Sequence, residues 1–166
     1  MKIRKITVVY FSATYTTRKT VMALAESFGC EVTETDVTES MPEPMTIAAG
    51  DGNLLIAGMP VYAGRIPQQG ARALRMIKGG GTPAIAVCVY GNRDYDDALL
   101  EMCDLLAEDG FRTIAAAAFI AQHSIFTQLA AGRPDKTDMA ALEEFGKACR
   151  KGLRRGTKAT ARPCPT

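Results

Sequence analysis

Four hydroxyl side chains, Ser12, Thr14, Thr16 and Thr17, fall within six positions. They follow the β-branched run Ile6-Thr7-Val8-Val9-Tyr10 and precede a stretch where Val21, Leu24, Ala25 and Phe28 recur at helical spacing before Gly29. The pattern predicts a buried strand over about 5–10, a short loop, and a helix over about 17–28. Such a junction is a place for an anion. The first amides of a helix have no carbonyl partners, and the helix dipole puts its positive end at the same spot. The loop Ser12-Ala13-Thr14-Tyr15-Thr16-Thr17 adds hydroxyl donors there. It lacks the Gly-Lys-Ser/Thr ending of a nucleoside-triphosphate loop, and it lacks Gly-x-Gly-x-x-Gly. Hydroxyls and backbone without a lysine suit a monophosphate better than a magnesium-bound triphosphate. A plain helix cap would need one such residue rather than four.

The elements that must position this loop alternate along the chain, as an α/β fold with a parallel sheet requires. Glu31–Asp36 alternates and reads as an edge strand, and residues about 38–50, with Pro42 and Pro44, as a loop. Asn53–Gly58 reads as a fully buried strand, and a helix is expected after Pro67 through about Ile77, closed by Gly79-Gly80-Gly81. Pro83–Val89 is a fourth strand, Tyr95–Glu108 an amphipathic helix, Phe111–Ile120 a fifth strand and Thr137–Leu153 the last helix. Residues 1–153 are therefore expected to form one domain, and 154–166 a basic, apolar-poor, disordered tail.

In an open parallel sheet, ligands sit outside the carboxyl ends of the strands. The loops after strands three, four and five should therefore gather beside the hydroxyl loop. They read Met59-Pro60-Val61-Tyr62-Ala63-Gly64-Arg65-Ile66-Pro67, then Tyr90-Gly91-Asn92-Arg93-Asp94-Tyr95-Asp96-Asp97, then Ala121-Gln122-His123-Ser124. Tyr62 and Tyr95 each stand among small residues and glycines. Two aromatic planes beside a phosphate anchor suit a flat aromatic ligand bearing a phosphate, and flavin mononucleotide (FMN) fits. Glycine lets the backbone approach the ring edge. Tyr95 has a rival role as a core aromatic under its own helix, and Tyr62 as an exposed loop tyrosine. His123, the only histidine, is first a hydrogen-bonded loop residue and second a proton donor on the ligand side. Asp94, Asp96 and Asp97 read as a helix N-terminus, and no metal-ligand spacing stands out.

Twenty Lys and Arg against eighteen Asp and Glu leave a net charge of +2, which gives no reason to propose nucleic acid. No apolar run reaches about 18 residues, so no membrane span is expected. The basic start Met1–Lys5 is followed by too short an apolar run for a signal peptide. Cys30, Cys88, Cys103, Cys149 and Cys164 are odd in number, and no pair is spaced Cys-x-x-Cys. Neither a disulfide framework nor a zinc site is indicated, and a reduced, cytoplasmic protein is expected.

On these residues the chain resembles a flavodoxin. The family's phosphate loop reads Ser/Thr-x-Thr-Gly-x-Thr, and Ser12-Ala13-Thr14-Tyr15-Thr16-Thr17 matches it except for Tyr15 at the glycine. The resemblance implies a doubly wound five-stranded parallel sheet of order 2-1-3-4-5, with FMN at the ends of strands 1, 3 and 4. It implies ring stacking by Tyr95, which matches the family's aromatic, and by Tyr62. The implied FMN-binding residues are Ser12, Ala13, Thr14, Tyr15, Thr16, Thr17, Pro60, Val61, Tyr62, Ala63, Gly64, Tyr90, Gly91, Asn92, Arg93 and Tyr95. Tyr90–Leu99 and Ala131–Asp135 resemble, more narrowly, the flavodoxin domain of flavodoxin–ferredoxin fusion proteins of anaerobic bacteria, over about residues 4–153. In those fusions a cysteine-rich iron–sulfur domain follows. Here the tail carries only Cys164, followed by Pro165, so no cluster domain is expected within these residues.

The function expected is electron transfer between partner proteins of ferredoxin or oxidoreductase type. The alternative is an FMN-dependent NAD(P)H:quinone-type reductase of the same fold, for which no nicotinamide signature stands out. A phospho-acceptor receiver domain is excluded, because no acidic pair follows strand one and strand three ends in Met59-Pro60. Arg65 and Arg93, in the loops expected to flank the ring, are expected to favour reduced, anionic FMN and an acidic partner.

Overall fold

The β-branched run before the hydroxyl loop forms β1 (Lys5–Tyr10) in a computed structural model that describes residues 1–155 and the backbone of 159–160. β1 lies between β2 (Glu31–Asp36) and β4 (Asn53–Pro60), parallel to both. β6 (Pro83–Tyr90) pairs with β4, and β7 (Arg112–Ile120) with β6, again parallel. The order β2-β1-β4-β6-β7 is the 2-1-3-4-5 order expected.

The central strands β1, β4 and β6 are buried on both faces, which is why they read as near-continuous apolar runs, whereas the edge strand β2 is largely exposed and alternates. Ile6, Val8 and Tyr10 of β1 join Ile56, Val87 and Val89 in one core, covered by α1 (Thr16–Glu26) and α4 (Lys136–Arg155). Val9 joins Leu55, Ala57, Ala86 and Cys88 in the other, covered by α2 (Gln68–Leu74) and α3 (Ala98–Glu108). The register matters most for the site. Tyr10 is level with Gly58, Pro60 with Val89, and Tyr90 with Ile120, so four strands end along one edge. Gly58 makes the seat of α1, since a Cβ there would come within 2.4 Å of Val21 Cγ1.

Several elements differ from the sequence reading. The helix expected through Ile77 stops at Leu74, because Ile77–Lys78 (β5) pairs with Met45–Thr46 (β3) inside the segment read as loop. α3 begins at Ala98 rather than Tyr95. Asp94 Oδ1 accepts the amides of Tyr95 (2.7 Å) and Asp96 (3.1 Å), and Asp96 has a left-handed φ of 42°, so the preceding residues form a turn. α1 ends at Glu26, and α4 runs through Arg155, past the expected domain end. Ala159–Thr160 (β8) adds a short parallel strand beside β7; the rest of the expected tail, residues 156–158 and 161–166, lies outside the described residues. Cys30, Cys88, Cys103 and Cys149 are free thiols, and burial pushes Cys88 and Cys149 up to about 12. No helix among the described residues is long and apolar enough to cross a membrane.

Candidate functional site

The common strand edge opens into a cleft of about 560 Å³. Its first wall is the hydroxyl loop. Ala13, Thr14, Thr16 and Thr17 line it, and α1 starts at Thr16, so the helix's unpaired amides belong to this end of the cleft. Thr14 Oγ1 and Thr16 Oγ1 lie 3.4 Å apart. Ser12 is 7% exposed and does another job: its Oγ accepts the Arg18 amide (3.0 Å), and its own amide donates to Thr38 Oγ1 (2.8 Å). It caps the helix and ties the loop to the chain beyond β2. Tyr15 is 74% exposed and outside the lining, yet its backbone sits at φ 64°, the left-handed region that a glycine adopts freely. The backbone conformation available to the family's glycine is thus present with a tyrosine in the position.

Behind this wall, Arg18 clamps the loop to β2. Its guanidinium donates to Glu34 Oε1 (2.6 Å) and Oε2 (3.0 Å) and to the Tyr10 hydroxyl (3.1 Å), while the Tyr10 hydroxyl donates to Glu34. The paired Arg18 holds the Glu34 carboxyl below its ordinary range, and burial pushes the Tyr10 phenol up.

The second wall follows β4. Pro60, Val61, Tyr62 and Ala63 line the cleft. Tyr62 and Arg65 exchange backbone hydrogen bonds of 2.8 and 3.1 Å around Ala63 (φ 50°) and Gly64 (φ 78°), a tight two-residue hairpin. Gly64 lies behind the lining, and a Cβ there would come 2.6 Å from Asp96 Oδ2. Tyr62 stands edge-on to Phe11 at 6.1 Å between ring centres and is 40% exposed; burial of the rest pushes its phenol up.

The end of β6, Val89 and Tyr90, and the following Gly91 supply the floor. Tyr95 lies outside the lining: it stands edge-on to Tyr90 at 5.5 Å and packs on the core covered by α3. Asn92 and Arg93 lie outside it too. Arg93 is ion-paired with Asp96, and Arg65 makes a two-pronged pair with Glu101 (2.8 and 2.9 Å). Arg65 and Arg93, expected from their loops to favour an anion in the cleft, thus each have a carboxylate partner and are mostly solvent-exposed.

A third wall went unread beyond Ser124. The chain from Ala121 to Phe126 lines the cleft, including Ile125 and Phe126. The only sequence signal was an apolar pair inside a loop. No Lys, Arg, Asp or Glu lines the cleft, so an anion at its α1 end meets hydroxyls, amides and a helix dipole.

No family model matches the sequence, and no curated protein matches it. Solved structures do. Flavodoxin 2 from Bacillus cereus superposes with a TM-score of 0.61 at 16% identity, covering 89% of this chain and 98% of that one. The Streptococcus pneumonia TIGR4 flavodoxin gives 0.59 at 17%, with 89% and 98% covered. The Flv1 flavodiiron core from Synechocystis sp. PCC6803 gives 0.64 at 15%, covering 93% of this chain. This chain spans 37% of the length of that core and 37% of the rubredoxin oxygen:oxidoreductase from Desulfovibrio gigas (0.57, 17% identity, 93% of this chain). At these identities the likeness is one of fold: the chain has a flavodoxin-like α/β fold.

Proposed function

We propose that the chain binds FMN in this cleft and carries electrons between partner proteins of ferredoxin or oxidoreductase type. The observation that carries the reading is the division of one cleft into two chemistries. An uncharged donor end, made by Thr14, Thr16, Thr17 and the start of α1, adjoins an apolar compartment lined by Val61, Tyr62 and Tyr90. A phosphate suits the first and a flat ring the second. Bound FMN would supply reversible electron storage. The chain's part is to bind, orient and partly desolvate: the Thr hydroxyls donate to the phosphate, Ser12 and Arg18 hold their loop in place, and Tyr62 covers ring surface. In this reading Tyr95 supports Tyr90 rather than touching the ring, as their edge-on contact suggests.

Replacing Thr14 and Thr17 together by Ala is expected to raise the FMN dissociation constant on the order of tenfold or more, since charge-assisted hydrogen bonds contribute about 1.5–3 kcal/mol each. Riboflavin, which lacks the phosphate, should respond little. Equal weakening of both ligands in a fluorescence titration would remove the phosphate assignment. A carrier should also show no sustained NAD(P)H oxidation with a quinone acceptor, and robust turnover would favour a reductase.

A further inference from the structure

We infer that the loop between β7 and α4 is the second ring wall of the cleft, with Phe126 as its contact and His123 as the residue that positions it. The inference rests on the FMN reading. The sheet order sets the arrangement. β6 lies between β4 and β7, so the Tyr62 hairpin and the Phe126 loop rise on opposite sides of the floor made by Tyr90 and Gly91. Phe126 is 54% exposed and Ile125 77%, an unusual concentration of bare apolar surface on one loop. A flat ring entering the cleft would cover such surface from the side that Tyr62 does not reach.

The loop is built to hold that shape. Its ends are pinned where the Gln122 amide donates to the Arg133 carbonyl (3.0 Å). The Gln122 side chain spans it, donating to the Thr127 carbonyl (2.8 Å) and accepting from the Gly132 amide (3.3 Å). At its head, His123 Nδ1 accepts the amides of both Ile125 (3.1 Å) and Phe126 (3.0 Å). The ring proton of the neutral imidazole is therefore on Nε2. The same imidazole stands 5.2 Å from the Phe126 ring and rests on Gly91, where an added Cβ would come 2.7 Å from His123 Cδ2. One side chain thus fixes the backbone of the two apolar residues, meets the ring of one, and seats the loop on the floor. His123 here works through its acceptor nitrogen, in place of the proton delivery considered from sequence.

The test is a set of fluorescence titrations with FMN and with lumiflavin, the ring without its phosphate arm. Phe126→Ala should raise the dissociation constants of both on the order of tenfold, as loss of an aromatic stacking contact does. His123→Leu should do the same. His123→Asn, whose side-chain oxygen can accept the two amides that Nδ1 accepts, should restore most of the affinity. Thermal unfolding of each variant identifies a binding loss that comes from misfolding, and Phe126→Tyr, which keeps the aromatic face, should then bind like wild type. Unchanged lumiflavin affinity in Phe126→Ala overturns the wall. Equal losses in His123→Leu and His123→Asn overturn the positioning role. If wild-type protein binds neither flavin, the FMN reading itself falls.

Discussion

Tyr15 holds a left-handed backbone angle with a full side chain attached. A tyrosine has no intrinsic reason to occupy φ 64°, because its Cβ crowds the following carbonyl. The loop imposes the angle: Ser12 caps at one end, and α1 is already paired by the Lys19 amide to the Tyr15 carbonyl (2.9 Å) at the other. Left-handed backbone costs a non-glycine residue about 1–2 kcal/mol, offset by roughly 0.5–1 kcal/mol of extra chain entropy when glycine unfolds. Tyr15→Gly is therefore expected to stabilise the fold by about 0.5–1 kcal/mol, a rise of about 1–4 °C in melting temperature for a chain this long. Its side chain is 74% exposed, so little packing is lost. A lower melting temperature would show that the tyrosine ring contributes more than its backbone angle costs. Residue types and strand order were enough to bring Thr14, Thr16, Thr17 and Tyr62 to one cleft. They did not reveal that Tyr95 packs on Tyr90, since a tyrosine at a helix start reads alike in either role.

At the scale of elements, the site depends on how closely α1 and the β7–α4 loop are tied to the sheet. Gly58→Ala would push a methyl into Val21, and overpacking a core costs about 1–3 kcal/mol. We expect destabilisation of that order together with weaker FMN binding, because the displaced helix carries Thr16 and Thr17. Trimming the opposing side chain, in the Gly58→Ala, Val21→Ala double variant, should recover part of the FMN affinity. No recovery would mean that the clash is relieved elsewhere. The other tie is at the start of α4. Asp135 Oδ1 accepts the Asp138 amide (3.0 Å) while Asp138 Oδ2 accepts the Asp135 amide (2.8 Å), a reciprocal cap. Asp138 also pairs with Arg133, whose carbonyl closes the Phe126 loop. Arg133 holds the Asp138 carboxyl below its ordinary range. A carboxyl depressed in the folded state adds stability that is present above its unfolded pKa of about 3.9, and that stability is lost as pH falls through the lower folded value. Asp138→Asn should thus destabilise at neutral pH, and its deficit against wild type should shrink below about pH 4. A deficit that stays constant into acid, in urea unfolding at several pH values, would contradict this. The five main strands and the four helices were legible, because burial on two faces leaves apolar runs, an edge strand alternates, and helical faces leave their own period; the helix bounds shifted. The β3–β5 pair was not. Two-residue strands have no period to read, and Ile77 looked like one more apolar helix position.

Across the whole molecule, charge is close to balanced and is arranged locally. A net charge of +2 is the sum of many near-cancelling terms, and Arg65 and Arg93, in the loops after β4 and β6, are terms of that kind. The Glu101 carboxylate is held below its ordinary range by Arg65, the sign of a pair that acts as a dipole rather than as a lone cation. Reduced FMN is anionic at neutral pH, so its formation responds to the net field of both partners. Removing the guanidiniums alone, in Arg65→Gln, Arg93→Gln, would leave Glu101 and Asp96 uncompensated. A new negative field disfavours an anion, and the potential of the fully reduced couple should fall. Removing both halves of each pair, by adding Glu101→Gln and Asp96→Asn, should return it close to the wild-type value. The difference between the two variants should narrow as salt is raised, because the arginine side chains are 62% and 71% exposed and screening is effective there. Midpoint potentials measured against reference dyes at low and high salt decide the matter. If the four-site variant falls as far as the double variant, the arginines act as independent cations on the flavin. If neither moves, the cleft is insulated from this rim, and the neutral hydroxyls and dipoles that line it set the potential on their own.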